Sequence, residues 1–136
     1  MVPVDRGGMN SSSMENIKKR LKENWGVIIH PEGTRSEDGV FRKIKNGAST
    51  LAIETGAPII PAYVDGAYNI FPKSGKMPKF YDWKHHKKFR LSVTFGKPIS
   101  PDGLTTEELT AEIERAISVL QDENSTLPQF QSHRAE

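Results

Sequence analysis

The stretch Trp25-Gly26-Val27-Ile28-Ile29-His30-Pro31-Glu32-Gly33-Thr34-Arg35-Ser36 decides how the chain is read. Val27, Ile28 and Ile29 are β-branched and lie between Gly26 and Pro31, a run too short for a helix, so residues 27–29 are expected to form a buried strand. The backbone then breaks into a turn carrying a carboxylate, a hydroxyl and a guanidinium. Ligands of open α/β sheets bind outside the carboxyl ends of the strands, and this turn leaves such an end. Pro31 fixes φ and Gly33 relieves crowding, so the same residues also suit an ordinary β-turn with solvated charges. On these residues alone both readings stay open.

At 136 residues the chain is one domain at most. It is long enough to bury roughly two-thirds of its unfolded surface and hold a real core. The absence of cysteine excludes disulfides, thiolate catalysis and cysteine-ligated zinc. Net charge is only +2, yet residues 73–90 hold seven Lys or Arg against the single acid Asp82, so the remainder is net acidic. No run approaches the roughly 18 apolar residues of a membrane span. Charges at Asp5 and Arg6 stand where an export signal needs an apolar core.

Residues 2–4 resemble the end of a strand leading into a turn with Arg6 at its tip, either an anion ligand or a solvated terminal arginine. A helix follows from Ser12, with Glu15 completing a capping-box pattern and Met14, Ile17 and Leu21 forming the apolar stripe under a basic outer face. Beyond the central turn, residues 45–55 form a second helix, stopped by Gly56 and Pro58. Lys45 lies at its N-terminal end, where the helix dipole disfavours a cation, so solvent or a bound anion must compensate it. Residues 57–64 are the next strand; Pro61 cannot donate to a ladder and places that strand at an edge or a bulge. Alternating strands and helices indicate an α/β domain with a largely parallel sheet.

Residues 68–88 mix Phe71, Phe80, Tyr81 and Trp83 with six lysines. Three readings compete: stacking on single-stranded nucleic acid, contact with a bilayer interface, and a solvated loop whose aromatics close the core beneath it, which is the preferred one. His85 and His86 have no acidic pair at ligand spacing and read as surface residues, not metal ligands. Residues 89–95 alternate strictly, which predicts a strand with Phe89, Leu91, Val93 and Phe95 facing inward. Thr105 and Glu108 form a capping box, Leu104 and Leu109 a hydrophobic staple, and Leu109, Ile113, Ile117 and Leu120 the buried face of the helix that follows. Residues 121–136 are polar and expected to be disordered.

Read together, His-Pro-Glu-Gly-Thr-Arg-Ser, the preceding Val4-Asp5-Arg6, the following Ile44-Lys45-Asn46-Gly47-Ala48, and Ala57-Pro58-Ile59-Ile60-Pro61-Ala62 resemble the lysophosphatidic acid acyltransferase family. Three of that family's four sequence blocks stand in order. The resemblance implies a glycerolphosphate-acyltransferase-like α/β fold, with a mixed, largely parallel sheet flanked by helices and its N-terminal portion missing. Residues 1–120 would be a partial acyltransferase domain. It also implies acyl transfer from acyl-CoA or acyl-carrier protein to 1-acyl-glycerol-3-phosphate, giving phosphatidate in phospholipid biosynthesis. Arg6, Glu32, Gly33 and Arg35 would then hold the acceptor, the two arginines gripping its phosphate through guanidinium geometry. Thr34 would brace the turn, Lys45 would match the lysine before the small-residue helix, and Pro61 would shape the acyl side of the cleft.

The family's catalytic block is a His and an Asp separated by four residues. Five positions beyond His30, His85 and His86 stand Arg35, Arg90 and Leu91, and His133 is too near the end of the sequence to have a partner at that spacing, so the block is absent and this chain is expected to be inactive alone. His30 fills a slot that is commonly aromatic. No cofactor, metal or nucleic acid is implied; the expected location is cytoplasmic, peripheral on a membrane surface. A second expectation, from a different class, is a non-catalytic module that binds anionic lipid or phosphate.

Overall fold

The computed structural model describes residues 11–33, 41, 43–71, 75 and 77–126. Helix α1 spans Ser11–Lys22. Ile17 is buried, with Met14 and Leu21 half-buried beside it, as the stripe requires. Lys18 reaches off that stripe to both Glu15 (2.7 Å) and Glu54 (2.6 Å), tying α1 to the next helix. Beyond α1, Asn24 is left-handed (φ 62°) and Trp25 folds back, its N–H donating to the Arg20 carbonyl at 3.0 Å and its ring lying 5.7 Å from the Arg20 guanidinium.

Helix α2 spans Gly47–Thr55 and ends at left-handed Gly56, whose N–H donates to the Ala52 carbonyl. Its small residues allow close approach: Ser49, Leu51 and Ala52 are buried, and the Ser49 hydroxyl meets that of Thr110 at 2.6 Å. Thr110 belongs to helix α4, Thr106–Asn124. The capping box forms as expected, Thr105 accepting the Glu108 N–H while the Glu108 carboxylate takes the Thr105 N–H at 2.8 Å. Leu109, Ile113 and Ile117 build the core with Ile44 and Ala52, and Phe41, Ile59, Ile99 and Leu104 pack against it. The helix continues through Asn124, with Gln121 and the capping Ser125 both buried.

Strand β1 (Ala62–Asp65) is followed by the single-turn helix α3 (Ala67–Ile70) and a hairpin of β2 (Tyr81–Asp82) and β3 (Lys87–Lys88); β4 (Ser92–Phe95) then pairs with β1. Both ladders are antiparallel, as is the isolated bridge between Ile59 and Ile99. The described residues thus form an α/β unit without the largely parallel pairing expected. The chain between β1 and β4 turns back through α3 and the hairpin rather than crossing over through a long helix, and such a return leaves the strands antiparallel.

Pro61 stands just before β1, where its missing N–H removes no ladder bond. Paired positions sum to 157 along β1 and β4 (Ala62 with Phe95) and to 158 at the Ile59–Ile99 bridge, so one extra residue is accommodated opposite Pro61. That is the bulge its presence implied.

Two further expectations need correcting. Residues 27–29 form no strand among the described residues, and Ile28 is 91% exposed. Three β-branched residues favour extended backbone, but a strand also requires a neighbour's N–H and C=O groups, and none among the described residues pairs here. Leu91, Val93 and Phe95 face outward; Phe95 is 69% exposed. The covered side of the sheet is the polar one. Asp65 is buried and accepts the Thr126 N–H (3.0 Å) and the Tyr63 hydroxyl (3.4 Å), so the C-terminus of α4 closes over that face. Burial there pushes the Tyr63 phenol above its ordinary pKa.

Candidate functional site

The opening stretch breaks at Pro31 into a turn that the sequence dictates locally. Pro31 sets φ for the corner, the Gly33 N–H donates to the His30 carbonyl at 3.1 Å, and Gly33 adopts φ +72°, a conformation that costs a side chain roughly 1 kcal/mol or more. This turn is joined to the start of α2. The Lys45 N–H donates to the Pro31 carbonyl at 3.2 Å. The Lys45 ammonium crosses the turn so closely that a Cβ on Gly33 would sit 3.7 Å from Nζ. Glycine is called for here by the positive φ, and the lysine's ammonium end packs at ordinary contact distance beside it.

A residue 70 positions from Ile44 fixes the other side of this junction: the Glu114 carboxylate on α4 accepts the Ile44 N–H at 2.8 Å. Ile44 is itself buried in the core. Lys45 is thus anchored on both sides, through its own N–H to the turn and through its neighbour's N–H to α4. Sequence reasoning missed Glu114, since nothing in its i, i+4 neighbourhood distinguishes it from the wet residues Glu112 and Arg115. At the N-terminus of α2, Asn46 makes no side-chain cap hydrogen bond. Its amide oxygen instead accepts from the Thr110 hydroxyl at 3.4 Å. The helix dipole, an ammonium and a glycine turn meet at one place, and this combination suits a phosphate.

Of the residues singled out in the sequence, Glu32, Gly33 and Lys45 are brought together here, with Glu32 half-buried. Arg6, Thr34 and Arg35 lie outside the described residues. Pro61 is buried in the packing at the end of the sheet. Its carbonyl accepts the Gly96 N–H at 2.8 Å, and Gly96 in turn borders Leu120 of α4. Among the described residues no group of His, Asp and Glu could hold a metal. His85 is exposed and bonded to Asp82 at 2.7 Å, a contact that lowers the Asp82 pKa.

The acyltransferase family model matches residues 1–65, the segment that holds the turn and α2. A 1-acyl-sn-glycerol-3-phosphate acyltransferase of Bacillus subtilis is 36% identical over 97 residues, covering 71% of this chain and 42% of that protein. The human 1-acyl-sn-glycerol-3-phosphate acyltransferase beta is 33% identical over 101 residues, 71% of this chain and 32% of that protein. The chain belongs to the lysophosphatidic acid acyltransferase family. Its fold agrees: the crystal structure of the acyltransferase PlsC from Thermotoga maritima superposes with a TM-score of 0.65 at 26% identity, over 81% of this chain and 43% of that one. The chain spans 22% of a chloroplastic relative from Brassica napus and 42% of the Bacillus subtilis one, less than half the length of either. No helix among its described residues is long and apolar enough to cross a membrane.

Proposed function

We propose that this chain supplies the acceptor-phosphate site of a 1-acyl-glycerol-3-phosphate acyltransferase. The observation that carries the proposal is the placement of the Lys45 ammonium over the Gly33 turn at the N-terminus of α2. In the reaction the free hydroxyl of lysophosphatidate attacks the carbonyl of an acyl-CoA or acyl-carrier-protein thioester. An ester bond forms, the C–S bond breaks, the hydroxyl proton goes to a base, and phosphatidate and the free thiol are released. Lys45 holds the phosphate together with Arg6 and Arg35, while Glu32, Gly33 and Thr34 shape the turn around it and Pro61 borders the acyl side.

The base is not among these 136 residues, which contain no His-x4-Asp. Loss of general-base catalysis alone lowers a rate by about 10²–10⁴. The chain by itself therefore binds acceptor and turns over little. Because the acceptor is a lipid, the site works at a membrane surface on the cytoplasmic side. Calorimetric titration with short-chain lysophosphatidate should show binding that the neutral monoacylglycerol does not reproduce, alongside negligible phosphatidate formation from added acyl-CoA. Phosphatidate production at an ordinary enzyme rate would refute the assignment of an incomplete site, and equal affinity for the two lipids would refute the phosphate site.

A further inference from the structure

The segment between α3 and β4 was expected to be a solvated loop whose aromatics close the core, and the structure puts them elsewhere. Met77, Phe80 and Trp83 are 75%, 68% and 79% exposed. Phe80 and Trp83 lie on the β2–β3 hairpin and Met77 just before it; the hairpin's register sets Tyr81 opposite Lys88 and Asp82 opposite Lys87. The hairpin is a built element. Asp82 ties its tip together, accepting the N–H groups of Lys84 (3.0 Å) and His85 (3.3 Å) through one oxygen and the His85 ring through the other. Trp83 is held edge-on to Tyr81, with centroids 4.8 Å apart. At its base the Lys79 N–H donates to the Ile70 carbonyl at 2.7 Å.

Lys84, Lys87, Lys88 and Arg90 are all exposed, as is Lys79. The carboxylate of Asp82 faces inward to the tip's own donors, so the hairpin presents five cations and no free anion. An ordered, exposed tryptophan and phenylalanine ringed by lysines match the chemistry of an anionic bilayer interface, where indole rings settle at headgroup level and ammonium groups meet lipid phosphates.

We propose that the hairpin over residues 79–90 docks the protein on anionic lipid, with Trp83 as the inserted anchor. The proposal rests on the lipid-acceptor reading for its purpose, but it is tested by a different surface and a different readout. With Trp25→Phe, Trp83 becomes the only tryptophan. Its emission should shift to the blue on adding phosphatidylcholine–phosphatidylglycerol vesicles and stay unchanged with phosphatidylcholine alone. In co-sedimentation, each of Lys84→Ala, Lys87→Ala and Lys88→Ala should weaken binding roughly fivefold, Trp83→Ser should weaken it further, and added salt should weaken it in the unaltered chain. Lys97→Ala, at an exposed lysine outside both the hairpin and the acceptor site, should leave vesicle binding intact. An equal blue shift with neutral vesicles, sedimentation unaffected by these substitutions or by salt, or the same shift produced by a single-stranded oligonucleotide would each overturn the proposal.

Discussion

At the scale of single residues, the site depends on an ammonium that the backbone holds in place. Hydrogen bonds to charged groups are worth about 1.5–3 kcal/mol, so Lys45→Ala should lower lysophosphatidate affinity roughly ten- to a hundredfold by calorimetry while the melting temperature stays put. Glu114 acts at one remove. Glu114→Ala leaves the Ile44 N–H without its acceptor beside the core, which should cost about 1–3 kcal/mol of stability in denaturant unfolding. It should also weaken lysophosphatidate binding, through the displaced Lys45. The position of Lys45 just before a helix was legible in the sequence, because Gly56 and Pro58 mark where that helix stops and a cation at its start is a visible anomaly. Glu114 was not, because its partner is 70 residues away and its helix neighbours carry the same charge pattern.

Elements were legible where one local rule sufficed. In α4 the capping box, the staple and the apolar spacing all agree, and the helix forms where they place it. Glu108 is held below its ordinary pKa of 4.5, chiefly by the Thr105 N–H and then by the Thr105 hydroxyl. A carboxylate with a depressed folded-state pKa adds stability above its unfolded value and loses it as pH falls through the folded one. The gap in melting temperature between the unaltered chain and Glu108→Gln should therefore be widest near neutrality and close below the usual glutamate range. Thr105→Ala should cost about 1 kcal/mol at neutral pH. The corner between β1 and α3 tolerates less: at Gly66 (φ +85°) an added Cβ would fall 2.0 Å from the Arg90 carbonyl oxygen. Gly66→Ala cannot be accommodated without moving the backbone that leads into β4, and should unfold at a denaturant concentration well below the parent's.

For the whole molecule, hydrophobic alternation fixed which residues share a side of the sheet but not which side is covered. Ala62 and Val64 lie opposite Phe95 and Val93, an apolar face open to solvent, while Asp65, Gln121 and Ser125 are buried on the other. A side-chain pattern of period two is the same for either orientation, and here a polar network at the end of α4 selects it. The pairing of residues 27–29 was illegible for a related reason, since β-branched residues specify extended backbone without naming a neighbour. The open face should make the chain associate. In sedimentation velocity Phe95→Ser should shift the population toward monomer without lowering the melting temperature.

The turn, the lysine and the helix start nonetheless come together as the motif order implied, and this junction is the account's central claim. Its most direct test is to follow backbone amide resonances while titrating lysophosphatidate and, separately, the neutral monoacylglycerol. The account predicts shifts specific to lysophosphatidate, concentrated at Glu32, Gly33 and residues 45–49. Shifts common to both lipids, or shifts that leave Gly33 and Lys45 unmoved, would contradict it.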